Sequence, residues 1–323
     1  MRVVNCVGFG PVRDLVVEER PSPQVQPGTV KVAVRACGVN FVDGLLVEGK
    51  YQIRPPLPFV PGGEVCGVVT EVGEGVTSHQ VGDRVSASTM LGAFAEEVVL
   101  PAAAAVHAPT VLTDAQAATY LQSYGTAHFA LKVRAVPKPG STMLVLGAGG
   151  GVGLAVVDTA VSMGVRVIAA ASSADKREMA LSRGAAAVID TTTDDVKVAA
   201  REFGGGGVDA VFDPVGGSLT ETAFRALSPG GSLYVVGFAG GDIPKLPLNL
   251  VLLANKTVVG VDWGYWSIRH HAEYVAMLGE LRAAVERGDL HPVAPVEYRF
   301  DQAAEALADQ LERRVTGKAA LVL

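Results

Sequence analysis

Apolar residues along the chain follow two rhythms. Up to about residue 120 they come in short β-type runs broken by Gly and Pro: Thr29–Arg35 (TVKVAVR), Val65–Val72 (VCGVVTEV), Arg84–Ser86 and Glu97–Leu100. Such runs predict strands, and Asp83 in Gly82-Asp83-Arg84 supplies a turn between two of them. The segment Pro55–Pro61 (PPLPFVP) can be neither helix nor central strand and predicts a rigid loop.

From residue 121 the pattern alternates between strand and helix. Strands are predicted at Thr142–Leu146, Val165–Ala171, Ala187–Asp190, Val208–Phe212, Ser232–Gly237 and Thr257–Val261. Helices fall between them at Val152–Met163, Ala174–Ser182 and Leu219–Leu227. This alternation predicts a parallel sheet covered on both faces, a doubly wound α/β domain. The tail carries two predicted helices, His270–Arg287 and Gln302–Arg314, and a short strand Ala319–Val322.

Composition narrows the field of functions. The chain has 323 residues, 49% hydrophobic, enough for one large or two ordinary domains. Net charge is −6 with no basic face, so nucleic acid is not an expected partner. No uninterrupted apolar stretch of about 18 residues predicts a membrane span, and the N-terminus lacks the apolar core of a signal peptide. Cys6, Cys37 and Cys66 are too few and too scattered for a disulfide framework, which fits a reducing cytoplasm.

The richest motif is Met143-Leu144-Val145-Leu146-Gly147-Ala148-Gly149-Gly150-Gly151-Val152-Gly153, followed by apolar residues at helical spacing. Strand, glycine turn, helix is the order in which bare backbone can approach a pyrophosphate at a helix N-terminus. Gly147, Ala148, Gly150, Gly151, Val152 and Gly153 are therefore expected to bind a dinucleotide. The second strand then selects which one. It ends Ala171-Ser172-Ser173-Ala174-Asp175-Lys176-Arg177, with hydroxyls in place of the carboxylate that bonds a free ribose 2′-hydroxyl. Ser172, Ser173, Lys176 and Arg177 suit a 2′-phosphate, so NADPH is expected over NADH. Two alternatives stay open: Lys176 and Arg177 as solvated helix residues, and Asp175 as the ribose ligand.

Several further stretches carry a resemblance. They are Gly38-Val39-Asn40-Phe41-Val42-Asp43, Pro61-Gly62-Gly63-Glu64, Val72-Gly73-Glu74-Gly75-Val76, Gly82-Asp83-Arg84-Val85, Gly92-Ala93-Phe94-Ala95-Glu96, Thr126-Ala127, Gly147–Gly153 and Gly184-Ala185. In these the chain resembles the zinc-independent, ζ-crystallin-like quinone oxidoreductases of the medium-chain dehydrogenase/reductase superfamily. The resemblance implies a GroES-like β-rich catalytic domain over 1–122 and 264–323. A Rossmann dinucleotide-binding domain is implied over 123–263. It also implies a homodimer, or a tetramer built from dimers, joined through the edge strand Thr257–Val261.

The same resemblance bears on metal. Zinc alcohol dehydrogenases of this superfamily place a ligand Cys where this chain has Asn40 and a ligand His where it has Gly63. No two cysteines stand at structural-zinc spacing, and His270-His271 point apart on a helix, so no metal is expected. Without a metal, hydride from NADPH can still reach quinones and α,β-unsaturated carbonyls, whose developing charge moves onto a distant oxygen.

Site roles follow from the resemblance. Asn40 stands where the family has a polar contact near the nicotinamide ribose and substrate; a turn-capping Asn is the alternative. Tyr51 aligns with a cleft tyrosine able to donate a proton, or is a loop aromatic packed on Pro55 or Pro56. The Leu45-Leu46 pair stands where relatives often have a further tyrosine. Thr126 is expected beside the nicotinamide end of the cofactor, or is a helix-interior Thr. Gly237, Phe238 and Ala239 are expected where family backbone meets the carboxamide, with ordinary core packing the alternative for Phe238. Asp190 is followed by Thr191 rather than the family's tyrosine, Asp158 replaces a usual glutamine, and Asp262–Trp266 offers an aromatic wall. An enoyl-thioester reductase and an NADPH-binding protein with little turnover are the competing functions. The first would need a basic entrance for CoA phosphates, and no such cluster stands outside the second-strand region.

Overall fold

The computed structural model describes residues 1–323. Two compact units are present. One comprises Met1–Gln122, Tyr274–Gly288 and Pro292–Leu323; the other comprises Ser123–Glu273 and Asp289–His291.

In the second unit six strands form one parallel sheet. Their spatial order is Ala187–Asp190, Arg166–Ala171, Thr142–Leu146, Val208–Asp213, Leu227–Val235 and Thr257–Gly260. The first strand in sequence, Thr142–Leu146, lies mid-sheet. The next two strands are laid to one side of it and the following three to the other. The reversal between Thr142–Leu146 and Val208–Asp213 is the switch point at which such sheets open a crevice for ligand. Met143 to Leu146 and Val167 to Ala170 are fully buried, which is why they read as continuous apolar runs. No helix is long and apolar enough to cross a membrane.

Several helices depart from the expected pattern, among them Phe41–Val47 and Leu121–His128, which lie where no helix was expected. The aromatic segment after Asp262 is a helix of its own, Trp263–Arg269, separate from His271–Arg287. Its start is fixed by the Asp262 carboxylate, which accepts from the Tyr265 N–H at 2.9 Å. The helix Val196–Phe203 was not anticipated; Asp195 caps it by accepting from the Val198 N–H at 3.0 Å. The helix expected to reach Arg314 stops at Leu311, and Arg313 turns the chain with a φ of 60°.

The first unit is built on a seven-stranded sheet. Its path runs Val296–Arg299, Ala319–Val322, Thr29–Val39, Glu64–Val72, Arg84–Ser88 and Ala105–His107, with Glu97–Pro101 also paired to Thr29–Val39. The Thr29–Val39 strand continues past the expected Arg35, and its far end positions the site. There Ala319 pairs with Val39, and Glu64 pairs with Gly38. Just beyond that pair stand Lys318 and Asn40, whose side chains meet, so three distant segments converge at one end of the sheet. Helix Phe41–Val47 starts at that point. Val32, Val69, Val85, Phe94 and Leu321 belong to the apolar core beneath.

Candidate active site

The glycine turn of the second unit is tightly built. Gly147 takes a φ of 60°, and Gly150 donates its N–H to Gly147 O at 3.0 Å before the helix Gly151–Ser162 begins. Ala148 is buried and donates its N–H to Ala170 O at 3.1 Å. A Cβ on Gly153 would stand 2.3 Å from Gly147 O, so only glycine lets the helix settle on the turn. Beside Gly150 the nearest atom to such a Cβ is 3.5 Å away, leaving the backbone open. Gly151 and Val152 lie in the first turn, whose N–H groups lack intrahelical acceptors and favour an anion.

The end of the second strand faces this turn. A Cβ on Gly149 would meet Lys176 Cβ at 2.3 Å and Cγ at 2.5 Å, so the lysine stem lies directly on the glycine. Ser172 is exposed, and Ser173 is the N-cap residue of Ala174–Ser182 without a side-chain cap bond. Arg177 follows Lys176 on the same helix. Its guanidinium pairs with Asp190 at 2.9 Å and donates to Ala171 O at 3.3 Å, which ties it back to the sheet. Asp175 is exposed at the helix start.

Asp213, not singled out in the sequence, organises the neighbouring loop. Its Oδ1 accepts from the N–H of Val215 at 2.8 Å and of Gly216 at 2.9 Å, and Oδ2 accepts from the Thr220 hydroxyl. Val215 in turn lies against Gly147. Gly237, Phe238 and Ala239 are partly buried beyond the strand Leu227–Val235, and Ala239 donates its N–H to Pro214 O at 3.1 Å. Thr126 is half-buried on the helix Leu121–His128. Its neighbour Gly125 accommodates the Trp263 ring, which a Cβ would meet at 2.7 Å. Asp158 is structural: it accepts from Tyr124 Oη at 2.7 Å and from the His291 N–H at 2.6 Å.

In the first unit Asn40 does not cap its helix with its side chain. The backbone N–H of Asn40 instead donates to Asp43 Oδ2 at 2.8 Å. Its side chain turns to Glu64 and Lys318. Asn40 Nδ2 donates to Glu64 Oε2 at 3.0 Å, and Lys318 Nζ donates to Asn40 Oδ1 and, at 3.0 Å, to Glu64 Oε2. Glu64 Oε1 accepts from the Gln122 N–H at 2.8 Å. All four side chains of Asn40, Asp43, Glu64 and Lys318 are buried. Burial pushes Asp43 up to about 7, while the Asn40 N–H and the Lys318 charge pull it down and Glu64 raises it. Glu64 is marked in the sequence only as a motif residue and lone carboxylate, and Lys318 is not marked at all. The signal for Glu64 was Gly38 opposite it: a Cβ there would lie 3.1 Å from Glu64 Oε2 and 2.4 Å from Ala118 O.

Tyr51 is partly buried and packs against the apolar core of the first unit, with its N–H donating to Leu45 O at 3.2 Å. The donor set beside Asn40 does not fit zinc. A Cβ at Gly63 would meet Thr89 O and Asp43 Oδ1, no three His, Cys, Asp or Glu side chains converge, and Glu64 already holds an ammonium group.

Two known families match the chain: "Alcohol dehydrogenase GroES-like domain" over residues 26–110 and "Zinc-binding dehydrogenase" over residues 151–281. Quinone oxidoreductase-like protein 2 of Bos taurus is 37% identical, with 96% of this chain and 90% of that protein covered. A mycobacterial protein solved in complex with NADPH is 32% identical, covers both chains fully and superimposes with a TM-score of 0.92. Escherichia coli quinone oxidoreductase complexed with NADPH gives a TM-score of 0.92 at 26% identity, again over 100% of both chains. With a GroES-like domain, a Rossmann domain and this likeness along its length, the chain belongs to the quinone oxidoreductase family of the medium-chain dehydrogenase/reductase superfamily.

Proposed function

We propose that this enzyme is an NADPH-dependent, zinc-independent quinone oxidoreductase acting on quinones or related α,β-unsaturated carbonyls. The observation that carries the cofactor choice is Lys176 lying on Gly149, with Ser172 and Ser173 beside it and no carboxylate ending the strand. An ammonium and two hydroxyls there favour a 2′-phosphate, and the turn Gly147–Gly153 receives the pyrophosphate. NADPH in two solved relatives agrees with this reading. When bound, NADPH supplies hydride, and a quinone takes it with one proton to become a hydroquinone. Thr126, Gly237, Phe238 and Ala239 would hold the nicotinamide end, Asn40 would contact the reacting molecules, and Tyr51 is the candidate proton donor.

The ammonium of Lys318 beside Asn40 and Glu64 supports a metal-free reaction. The edge strand Thr257–Gly260 is paired on one side only, and Val258, Leu248, Leu252 and Leu253 are exposed near it in sequence. A second copy pairing there would make a homodimer and cover the edge. Three unbonded cysteines fit the cytoplasm.

NADPH consumption with 9,10-phenanthrenequinone, a simple enone and crotonyl-CoA tests the assignment. Rapid turnover of the quinone or enone is the expected result. Turnover of the thioester alone, or tight NADPH binding with no turnover of any acceptor, would refute it. Stoichiometric zinc in the purified protein would refute the metal-free mechanism.

A further inference from the structure

The buried cluster around Asn40 is more elaborate than a side chain that merely touches substrate requires. An asparagine amide has two nearly isosteric orientations, separated by exchange of Oδ1 and Nδ2. Here both atoms are held by charged partners of opposite sign. Glu64 Oε2 accepts from Nδ2 at 3.0 Å, and the Lys318 ammonium donates to Oδ1. Exchanging the two would set Nδ2 against the ammonium and Oδ1 against the carboxylate, two repulsive contacts in a buried site.

The partners are themselves fixed. Lys318 donates to the same Glu64 oxygen at 3.0 Å, and the other Glu64 oxygen accepts from the Gln122 N–H at 2.8 Å. Gly38 lets the Glu64 side chain and Ala118 O pack close beside it, since a Cβ there would stand 3.0 Å from Glu64 Cβ and 2.4 Å from Ala118 O. A buried ion pair is costly to desolvate and is weak evidence for stability; apolar replacement of such pairs is often neutral or favourable. Its presence beside Asn40 therefore leaves room for a role other than holding the fold.

The geometry points to Lys318 and Glu64 as positioning residues that lock the Asn40 amide in one orientation. Asn40 thereby keeps one N–H and one lone pair aimed in fixed directions at the reacting molecules. This rests on the reading of Asn40 as a site residue.

The test uses the full chain with NADPH and 9,10-phenanthrenequinone. Lys318→Met is expected to lower kcat by about 10- to 100-fold with little change in the KM for NADPH. Lys318→Arg is expected to recover part of the loss. Glu64→Gln removes the carboxylate charge and leaves one acceptor oxygen for the three donors Asn40 Nδ2, Lys318 Nζ and the Gln122 N–H, so it is expected to act like Lys318→Met; it answers the same question if the latter fails to fold. Asn40→Ala should be as impaired as the double variant Asn40→Ala/Lys318→Met, because Lys318 acts only through Asn40.

Independent losses in the double variant, or normal kcat in Lys318→Met beside a defective Asn40→Ala, would overturn the positioning role while leaving Asn40 in the site. Normal kcat in Asn40→Ala would overturn the reading of Asn40 itself and the proposal with it. A readout free of turnover is the side-chain amide signal of Asn40 in ¹⁵N spectra of the apo protein. It should be shifted by the Glu64 carboxylate and lose that shift in Glu64→Gln. An unchanged signal would also overturn the lock.

Discussion

Replacing Asp43 with Asn probes the cost of a buried charge. Asp43 is fully buried, and burial pushes its carboxyl from 3.8 up to about 7. An acid whose folded value exceeds its unfolded one binds more protons when folded between the two values. Its contribution to stability is therefore fully present below about pH 4 and is lost as pH rises through about 7. A shift of roughly 3 units corresponds to about 4 kcal/mol in total. Of this, roughly 2.5 kcal/mol falls between pH 5 and pH 8, with the ionised form as reference. Lys318 and Glu64 are the charged groups facing Asp43 from other segments, and both stay in place in Asp43→Asn. The substituted amide can still accept from the Asn40 N–H, and its NH2 group would point toward the side where Asp43 Oδ1 is now unpartnered. Urea unfolding of both proteins at several pH values measures the difference directly. Asp43→Asn should gain on the parent protein by about 2 to 3 kcal/mol from pH 5 to pH 8. A difference that stays constant across this range would refute an Asp43 that titrates near neutrality.

Three other expectations follow from the second unit. Lys176→Ala should weaken NADPH binding on the order of 10-fold and leave NADH nearly unchanged, as read by fluorescence titration. Equal losses for both cofactors would contradict its part in binding a 2′-phosphate. Gly153→Ala drives a Cβ to 2.3 Å from Gly147 O and should cost about 1–3 kcal/mol of stability, visible as a lowered Tm. Val258→Lys on the edge strand should shift the protein toward monomer in sedimentation, and an unchanged mass would remove Thr257–Gly260 from the dimer interface.

The parts of the fold legible in the sequence were those governed by local chemistry. Thr142–Leu146 and Ala174–Ser182 occur with the bounds their patterns predict, because a buried apolar strand and a helix each carry their own signal. The glycine turn was legible for the same reason. Helix Trp263–Arg269 was not read, since aromatic residues obscure its face, although Asp262 stood in the sequence as its cap. Lys318 lay beyond local reasoning altogether. Nothing near Gly317 or Ala319 marks it as buried; only the pairing of Ala319 with Val39 brings it to Asn40. Arg177 shows the converse. It looked equivalent to Lys176 in sequence, but Asp190, contributed by the next strand, engages it.

The placement of Ala319–Val322 inside its sheet, between Val296–Arg299 and Thr29–Val39, has a consequence for biosynthesis. A growing chain makes Thr29–Val39 early and pairs it with Glu64–Val72 and Glu97–Pro101, yet its far end, Ala36–Val39, waits for a neighbour synthesised long afterwards. The sheet of residues Thr142–Gly260, by contrast, has all its strands within one continuous stretch. Order of emergence and order of completion are thus reversed: the later-made unit can close first. Chains ending at Gly317 should accordingly protect Ser123–Glu273 from protease while residues before Gln122 are digested. Equal protection of both regions would show that the early sheet needs no late partner.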